Sequence, residues 1–157
     1  MANNTLELFY THLKNLDAEA LIELYHPDAL FEDPAFGRLK GERIKNMWRM
    51  LLDPTNNSQL SISYSNVICD GITGTASWEA NYIFTVTGRK ICNKITSTFE
   101  LKDGLIIKHD DKFELYKWAK QALGLTGYLV GWTKFFQQNL QGKTHYKLDK
   151  FEEKLNG

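Results

Sequence analysis

The feature that most constrains the fold is a run of alternating apolar and polar residues in the middle of the chain. Between residues 60 and 113, apolar side chains recur at about every second position in four stretches, the spacing of strands with one buried face. The polar segments 88–90 and 102–104 separate the last three stretches and are typical of tight turns. Because strands joined by tight turns pair antiparallel, this region predicts a meander.

The segment before this meander shows helical spacing. Asn4 and Glu7 resemble a capping box that begins a first helix. A second helix is predicted from Asp17 to the His26-Pro27 pair, since a residue before proline leaves the α region. A short extended piece, residues 29–33, comes before a third helix that begins at Gly41.

The segment after Phe113 is again helical in spacing, with the last amphipathic stretch over residues 132–155. Helices gathered on one side of an antiparallel sheet give an α+β fold. A chain of 157 residues fits one domain with a core of its own.

Charge and cysteine content exclude several classes of protein. Lys plus Arg and Asp plus Glu both number 19, so the basic excess of a general nucleic-acid binder is missing. Cys69 and Cys92 have no metal-site spacing, so we expect neither a metal nor a cofactor; they are two reduced thiols or one disulfide. The first residues lack a basic start followed by an apolar block, and we expect a cytoplasmic protein without integral membrane contact.

A resemblance to a known family begins at Phe31-Glu32-Asp33-Pro34, which follows two helices and precedes Gly41 and the four strands. This order resembles the nuclear-transport-factor-2-like (NTF2-like) superfamily, and within it the SnoaL-like and ketosteroid isomerase-like proteins. The resemblance covers residues 1–113. It implies a cone with a curved antiparallel or mixed sheet, three N-terminal helices packed on it, and a homodimer.

The tail, residues 114–157, resembles a helical extension found in a subgroup of NTF2-like proteins. The pattern is carried by Trp118, Gln121, Ala122, Leu123, Gly124, Gly127, Leu129, Gly131 and Trp132. The glycines lie three and four residues apart, which favours close helix packing or a helix break over a nucleotide motif. We expect the extension to pack on the same domain, over the pocket mouth or against a dimer partner.

Three candidate site residues follow from the likeness to ketosteroid isomerase. Asp33 matches the general base that moves a proton on a carbon next to a ketone, although an aspartate before proline also caps loops. Tyr10 matches the tyrosine that stabilises the oxyanion, although it also fits a helix core. Ser97 stands where the isomerase has a second, protonated aspartate, which is a departure from the pattern.

The last strand holds a second candidate. His109, Asp111 and Phe113 share one face, which Phe113 predicts to be the inner face. An aspartate can orient a nearby imidazole and raise its pKa, so His109 and Asp111 form a candidate acid–base pair. Asp111 also resembles the acidic residue of NTF2-like epoxide hydrolases and cyclases. The alternatives are a satisfied buried pair or a dimer contact.

The same alternation predicts the walls of a ligand pocket. Expected wall residues are Trp48, Trp78, Tyr82, Phe84, Ile95, Ser97 and Phe99, with Asn93 able to bind a carbonyl. The arginine and aspartate that NTF2-like epoxide hydrolases keep on this strand are replaced here by Ile95 and Ser97.

Two classes of function remain. The first is a cofactor-free acid–base enzyme of isomerase, cyclase or dehydratase type that acts on a small apolar or aromatic carbonyl compound. The second is a non-catalytic ligand-binding or dimerisation module of the same fold. Asp33, His109 and Asp111 around one void would favour the enzyme.

Overall fold

The computed structural model describes residues 4–56 and 59–157. The N-terminal elements are α1 (Thr5–Lys14), α2 (Ala18–Ile22), β1 (Tyr25–Asp33), β2 (Gly37–Lys40) and α3 (Glu42–Leu51). The meander follows as β3 (Ser61–Cys69), β4 (Thr73–Phe84), β5 (Arg89–Lys102) and β6 (Leu105–Lys112). The chain continues through α4 (Leu115–Leu123), α5 (Leu125–Val130) and α6 (Lys134–Asn156). The predicted first domain, 1–113, includes residues 1–3 and 57–58, which lie outside the described residues.

The six strands form one curved, open and mixed sheet in the order β2-β1-β6-β5-β4-β3. Strand β1 runs parallel to β6, and every other neighbouring pair is antiparallel. The predicted α+β cone and its meander are therefore confirmed. The parallel pair places the end of β1 beside the end of β6, where the candidate site residues lie.

The core lies between the inner face of the sheet and the N-terminal helices. Helix α1 buries Leu6, Phe9, Tyr10 and Leu13 completely, at the spacing of one helix face. The sheet contributes the buried residues Ile62, Ala76, Ala80, Ile95 and Phe99 from alternate positions. Because side chains alternate across a strand, the outer face carries exposed polar residues such as Lys94, Thr96 and Thr98.

Two details at the N-terminal end differ from the sequence prediction. The Asn4 side chain makes no capping hydrogen bond, so the predicted capping box is wrong. Helix α2 ends at Ile22, and Tyr25, His26 and Pro27 begin β1 instead of ending a helix. The preference of a residue before proline for extended backbone acts here by starting the strand.

Two details of the sheet also differ. Strand β2 was not predicted; it folds back on β1 after a tight turn, so that Asp33 pairs with Gly37. The predicted turn at residues 88–90 falls earlier, since Arg89 and Lys90 already belong to β5 and pair with β4.

The C-terminal helices pack closely, as the glycine spacing predicted. Gly124 has φ +61° and separates α4 from α5. A Cβ atom at Gly127 would lie 1.9 Å from the carbonyl oxygen of Ala119, so the two helices meet backbone to backbone. Helix α6 then runs along α3, where Arg43 pairs with Asp149 at 2.9 Å and also with Glu152.

Gly127→Ala tests this close approach. The added methyl group would overlap the backbone of α4, so we expect the free energy of unfolding to fall by about 2–3 kcal/mol. Gly142→Ala is the matched control, because nothing lies within 4 Å of its added Cβ and alanine favours a helix. Urea unfolding of both variants measures the effect. Equal stability of the two would contradict the described packing.

Within the described residues, no helix combines the length and the apolar character needed to cross a bilayer.

Candidate active site

A cavity of about 1100 Å³ lies between the inner face of the sheet, α3 and α6. Its walls include most of the predicted set: Trp48, Trp78, Tyr82, Phe84, Asn93 and Ile95. The predicted candidates Asp33, Asp111 and Phe113 line it as well. A largely apolar cavity of this size with a few polar groups is typical of a small-molecule site.

Four other predicted residues are buried behind this wall. Tyr10, Ser97, Phe99 and His109 do not line the cavity. The Phe99 ring stacks on the His109 ring with centroids 4.2 Å apart. These residues can therefore act on a ligand only through the groups that they contact.

The two candidate carboxylates lie side by side. In the parallel ladder between β1 and β6, Phe31 pairs with His109 and Glu32 pairs with Asp110. Asp33 and Asp111 are the residues that follow this ladder on the two strands, and the charge of Asp111 lies near enough to raise the pKa of Asp33. Both side chains face the cavity, so neighbouring strands present two carboxylates to one ligand site.

Asp111 is held by a polar network from the sheet. Its Oδ1 accepts hydrogen bonds from His109 Nε2 at 2.7 Å and from the Ser97 hydroxyl. Trp78 Nε1 in turn donates to Ser97 Oγ at 2.9 Å. No described residue donates to the other oxygen, Oδ2, which leaves it available to a ligand.

The network continues behind His109. Trp48 Nε1 can only donate, and it donates to Tyr25 Oη at 2.9 Å. Tyr25 therefore gives its own proton to His109 Nδ1, 2.7 Å away, and Nε2 carries the ring proton towards Asp111. With the ring proton on Nε2, Trp48 Nε1, Tyr25 Oη and both ring nitrogens of His109 all have hydrogen-bond partners, and the His109 contact helps to fix the orientation of the Asp111 carboxylate.

Tyr25→Phe tests the network without touching the cavity wall. It leaves buried Trp48 Nε1 and His109 Nδ1 without a partner, so we expect a loss of about 1–3 kcal/mol in the free energy of unfolding. Tyr116→Phe removes an exposed hydrogen bond to the Tyr128 carbonyl and is the control, with an expected loss within about 0.5 kcal/mol. Chemical denaturation compares the two, and equal losses would argue against the buried chain of donors.

Asp33 closes the tight turn after β1 as well as facing the cavity. Its Oδ1 accepts the backbone N–H groups of Ala35 at 2.9 Å and Phe36 at 2.6 Å. From the other side, Gln141 and Thr144 of α6 donate to the carbonyls of Pro34 and Ala35 at 3.2 and 2.8 Å. The C-terminal extension thus fixes the turn that carries Asp33.

The surroundings of Asp33 shift its titration into the neutral range. Burial raises the pKa of Asp33 to about 7, and the negative charge of Asp111 adds to this increase. The two backbone N–H groups act in the opposite direction and are outweighed. Asp33 therefore exchanges a proton near neutral pH, whereas its ordinary value is 3.8.

Comparison with known proteins supports the fold. A sequence model described as a SnoaL-like domain matches residues 6–109, about two thirds of the chain. The chain belongs to the SnoaL-like domain family. Among curated proteins, no sequence matches it.

Solved structures of similar fold come from several bacteria. An epoxide hydrolase of the LEH-like type from M. tuberculosis is 22% identical, with a TM-score of 0.61, over 82% of this chain and 94% of that chain. A protein of Catenulispora acidiphila with a ketosteroid isomerase-like fold, in complex with trimethylamine, is 15% identical, with a TM-score of 0.65, over 82% and 96%. A putative polyketide cyclase of Xanthomonas campestris pv. campestris is 16% identical, with a TM-score of 0.61, over 77% and 96%. At these identities the likeness shows the fold alone.

Tyr82 presents a hydroxyl donor on the cavity wall of this SnoaL-like domain. Trp118 Nε1 of α4 donates to Tyr82 Oη at 2.8 Å, so the oxygen is already occupied as an acceptor. The hydroxyl proton has no acceptor among the described residues and is free for a ligand. Burial raises the pKa of Tyr82, which keeps it protonated as a donor.

Tyr10 of the SnoaL-like domain occupies the core of α1. Its hydroxyl is fully buried and has no hydrogen-bond partner among the described residues. Burial raises the pKa of Tyr10 well above its ordinary value, and the charge of Asp111 adds to this. The predicted contact with a ligand oxyanion would require a rearrangement, because Tyr10 does not reach the cavity.

Sequence reasoning missed Tyr25 and Trp118, which support the site from behind. Tyr25 was placed on a helix, yet it lies four and six residues before Ala29 and Phe31, the even spacing of the buried face of a strand. If the His26-Pro27 pair is taken as part of a strand, the same alternation predicts that Tyr25 points inward. Trp118 was identified only as part of a tail pattern, and no local signal pairs it with Tyr82.

Among the described residues, no group of three or more His, Cys, Asp or Glu side chains is arranged to hold a metal ion.

Proposed function

We propose that this SnoaL-like domain is a cofactor-free acid–base enzyme that moves a proton on a carbon next to a carbonyl group in a small apolar compound. The observation that carries the proposal is the pair of neighbouring carboxylates, Asp33 and Asp111, in different surroundings on one cavity. A carboxyl group whose pKa is raised into the neutral range can serve as an acid beside a second carboxylate that serves as the base.

Asp111 is the base in this proposal. Its Oδ1 accepts two hydrogen bonds, from His109 and Ser97, which hold the carboxylate in place. Its Oδ2 accepts no hydrogen bond from the described residues and is the atom that takes the proton. His109 is a positioning residue, because it acts through Asp111 and does not line the cavity.

Asp33 is the acid. With its pKa raised to about 7, a large fraction stays protonated at neutral pH. Its Oδ1 is used by the turn, so the proton sits on Oδ2 and can be given to the substrate. The Tyr82 hydroxyl and the Asn93 amide add hydrogen bonds to the carbonyl oxygen.

The step balances without any further reactant. Asp111 takes the proton from the carbon next to the carbonyl, and the C–H electron pair becomes the C=C bond of an enol. The carbonyl oxygen takes the proton of Asp33. Return of a proton from Asp111 to a carbon of the enol, and of the oxygen proton to Asp33, completes an isomerisation.

The similar structures support a reaction of this kind only through the fold they share. Those described as an epoxide hydrolase and a putative polyketide cyclase hold small-molecule chemistry on the same scaffold. The position of the expected arginine–aspartate pair of the epoxide hydrolases is occupied here by Ile95 and Ser97. We therefore favour proton transfer over epoxide opening.

A ligand-binding module without catalysis is the second candidate. The apolar aromatic lining favours it, because Trp48, Trp78 and Phe84 would bind an apolar molecule without any proton transfer. The homodimer and the cytoplasmic location expected from the sequence stay predictions, and light scattering after gel filtration tests the first.

Exchange of carbon-bound hydrogen tests the proposal without knowledge of the natural substrate. The protein is incubated in D₂O with a panel of cyclic and aromatic ketones, and loss of the α-proton signal is followed by NMR. We expect exchange of at least one ketone above the buffer rate. Ligands that bind, seen by saturation transfer, but never exchange would contradict catalysis and favour the binding module.

The pH dependence of this exchange follows from the two roles. Because Asp33 must be protonated, kcat/KM is expected to fall as the pH rises through about 7. A rate that keeps rising with pH up to 9 would be inconsistent with Asp33 as the acid.

A further inference from the structure

Helix α6 places a row of lysines on the wall of the cavity. Lys143, Lys147, Lys150 and Lys154 all line it. Their spacing of four, three and four residues puts them on one face of the helix. The same face adds the apolar side chains of Phe136, Leu140 and Phe151 to the lining.

The acidic residues of α6 lie elsewhere. Asp149 and Glu152 pair with Arg43, and Glu152 also accepts a hydrogen bond from Asn46 at 2.7 Å. These contacts fasten α6 to α3. Two acidic residues of α6 therefore pair with α3, whereas all of its lysines except Lys134 line the cavity.

The lysine row has little compensation within the protein. Lys150 pairs with Glu153 at 3.3 Å and stands 5.5 Å over the Tyr146 ring, whereas Lys143, Lys147 and Lys154 form no ion pair with any described residue. Like charges three and four residues apart on a helix repel each other. A negatively charged ligand group would relieve this repulsion, while a neutral ligand would not.

The charges of the cavity come from different elements, the acids from the sheet and the cations from α6. Among the described lining residues, the only acids are Asp33 and Asp111, which stand at the ends of β1 and β6. The only cations among these lining residues are the four lysines of α6, and apolar and aromatic side chains make up most of the remaining wall. A volume of about 1100 Å³ has room for a ligand that contacts both the carboxylates and a lysine.

We propose that the cavity takes an amphipathic organic acid, with an apolar body against the aromatic wall and a carboxylate against the lysine row of α6. This inference rests on the proposed function in using the same cavity, and it adds the substrate class: a carbonyl compound that also carries an acidic group. Lysine suits this role, since an exposed ammonium attracts an anion over several ångströms without demanding one geometry.

Paired probes of the same shape test the charge preference. Pyrenebutyric acid and its methyl ester differ in one negative charge, and their fluorescence reports binding. We expect the acid to bind at least tenfold more tightly than the ester in 20 mM salt. We also expect this preference to shrink at 300 mM salt, where exposed charges are screened.

A triple variant removes three charges from the lysine row: Lys143→Gln, Lys147→Gln and Lys154→Gln. We expect it to lose most of the preference for the acid and to bind the ester as the wild type does. The control Lys108→Gln, Lys112→Gln, Lys134→Gln removes the same charge from exposed positions that do not line the cavity, and it should keep the preference. Circular dichroism melting checks that both variants fold.

The outcomes separate this inference from the proposed function. Equal binding of acid and ester, equal loss of preference in both triple variants, or binding of neither probe would overturn the acid preference. An acid preference that depends on α6, in a protein that exchanges no ketone, would support this inference while the proposed function fails. Ketone exchange without an acid preference would support the proposed function, while this inference fails.

Discussion

Asp111→Asn is expected to lower the rate of ketone exchange by about 100- to 10,000-fold, the usual contribution of a positioned general base. The asparagine amide has almost the same shape and its Oδ1 can still accept from Ser97 and His109. The fold should therefore survive, while the group that takes the proton is gone. NMR exchange rates and thermal melting of the same sample separate the two effects.

Asp110→Asn is the matched control for this substitution. Asp110 is the neighbouring residue on β6, but its side chain belongs to the opposite face of the sheet and does not line the cavity. It changes the net charge in the same way, so we expect nearly unchanged exchange. Equal losses from the two substitutions would remove Asp111 from its assigned role.

Asp33→Asn is expected to make the protein more stable than the wild type at pH 8 and about equally stable at pH 4. The pKa of Asp33 is raised in the folded state, so the folded protein binds this proton more tightly than the unfolded chain does. The resulting stability is fully present below about pH 4 and is lost as the pH rises through about 7. Asparagine has no such loss, and its Oδ1 can still accept from Ala35 and Phe36.

The expected gain of Asp33→Asn at pH 8 is about 1–3 kcal/mol in the free energy of unfolding, reduced from the full shift because the carboxyl faces an open cavity. Asp70→Asn is the control with the opposite sign. Backbone hydrogen bonds, from Thr73 first and then Ile72, lower the pKa of Asp70. The ionised form of Asp70 therefore stabilises the fold at pH values above the ordinary pKa of an aspartate. Urea unfolding at pH 4 and pH 8 measures both variants, and a less stable Asp33→Asn protein at pH 8 would contradict the raised pKa.

The alternation of apolar side chains predicted much of this architecture because it records burial directly. Each strand from β3 to β6 has one buried face, and His109 and Asp111 fall on it by simple counting from Phe113. The same counting placed Trp78, Tyr82 and Asn93 on the cavity wall. Such local patterns are visible in one sequence without any knowledge of the partner strands.

Strand pairings between distant segments could not be predicted from the sequence. The parallel contact of β1 with β6, which brings Asp33 beside Asp111, depends on a tertiary arrangement that no local pattern specifies. The predicted ligand contact of Tyr10 has a similar limit. Helical spacing places Tyr10 on the inner face of α1, but it does not show whether the hydroxyl reaches a cavity or lies in the core. The placement of two acidic residues of α6 against α3 and of four of its lysines on the cavity likewise depends on where the helix docks.

The titration of Asp33 tests the central claim most directly, because the proposed chemistry requires Asp33 to keep its proton near neutral pH beside the Asp111 carboxylate. NMR of protein labelled with ¹³C at the aspartate carboxyl carbon follows every aspartate with pH, and the Asp33→Asn sample assigns the signal. We expect Asp33 to titrate at about 7 and to shift to a lower pH in Asp111→Asn, where the neighbouring negative charge is absent. Titration of Asp33 near its ordinary value of 3.8, unchanged by Asp111→Asn, would show that the two carboxyl groups do not form the acid–base pair.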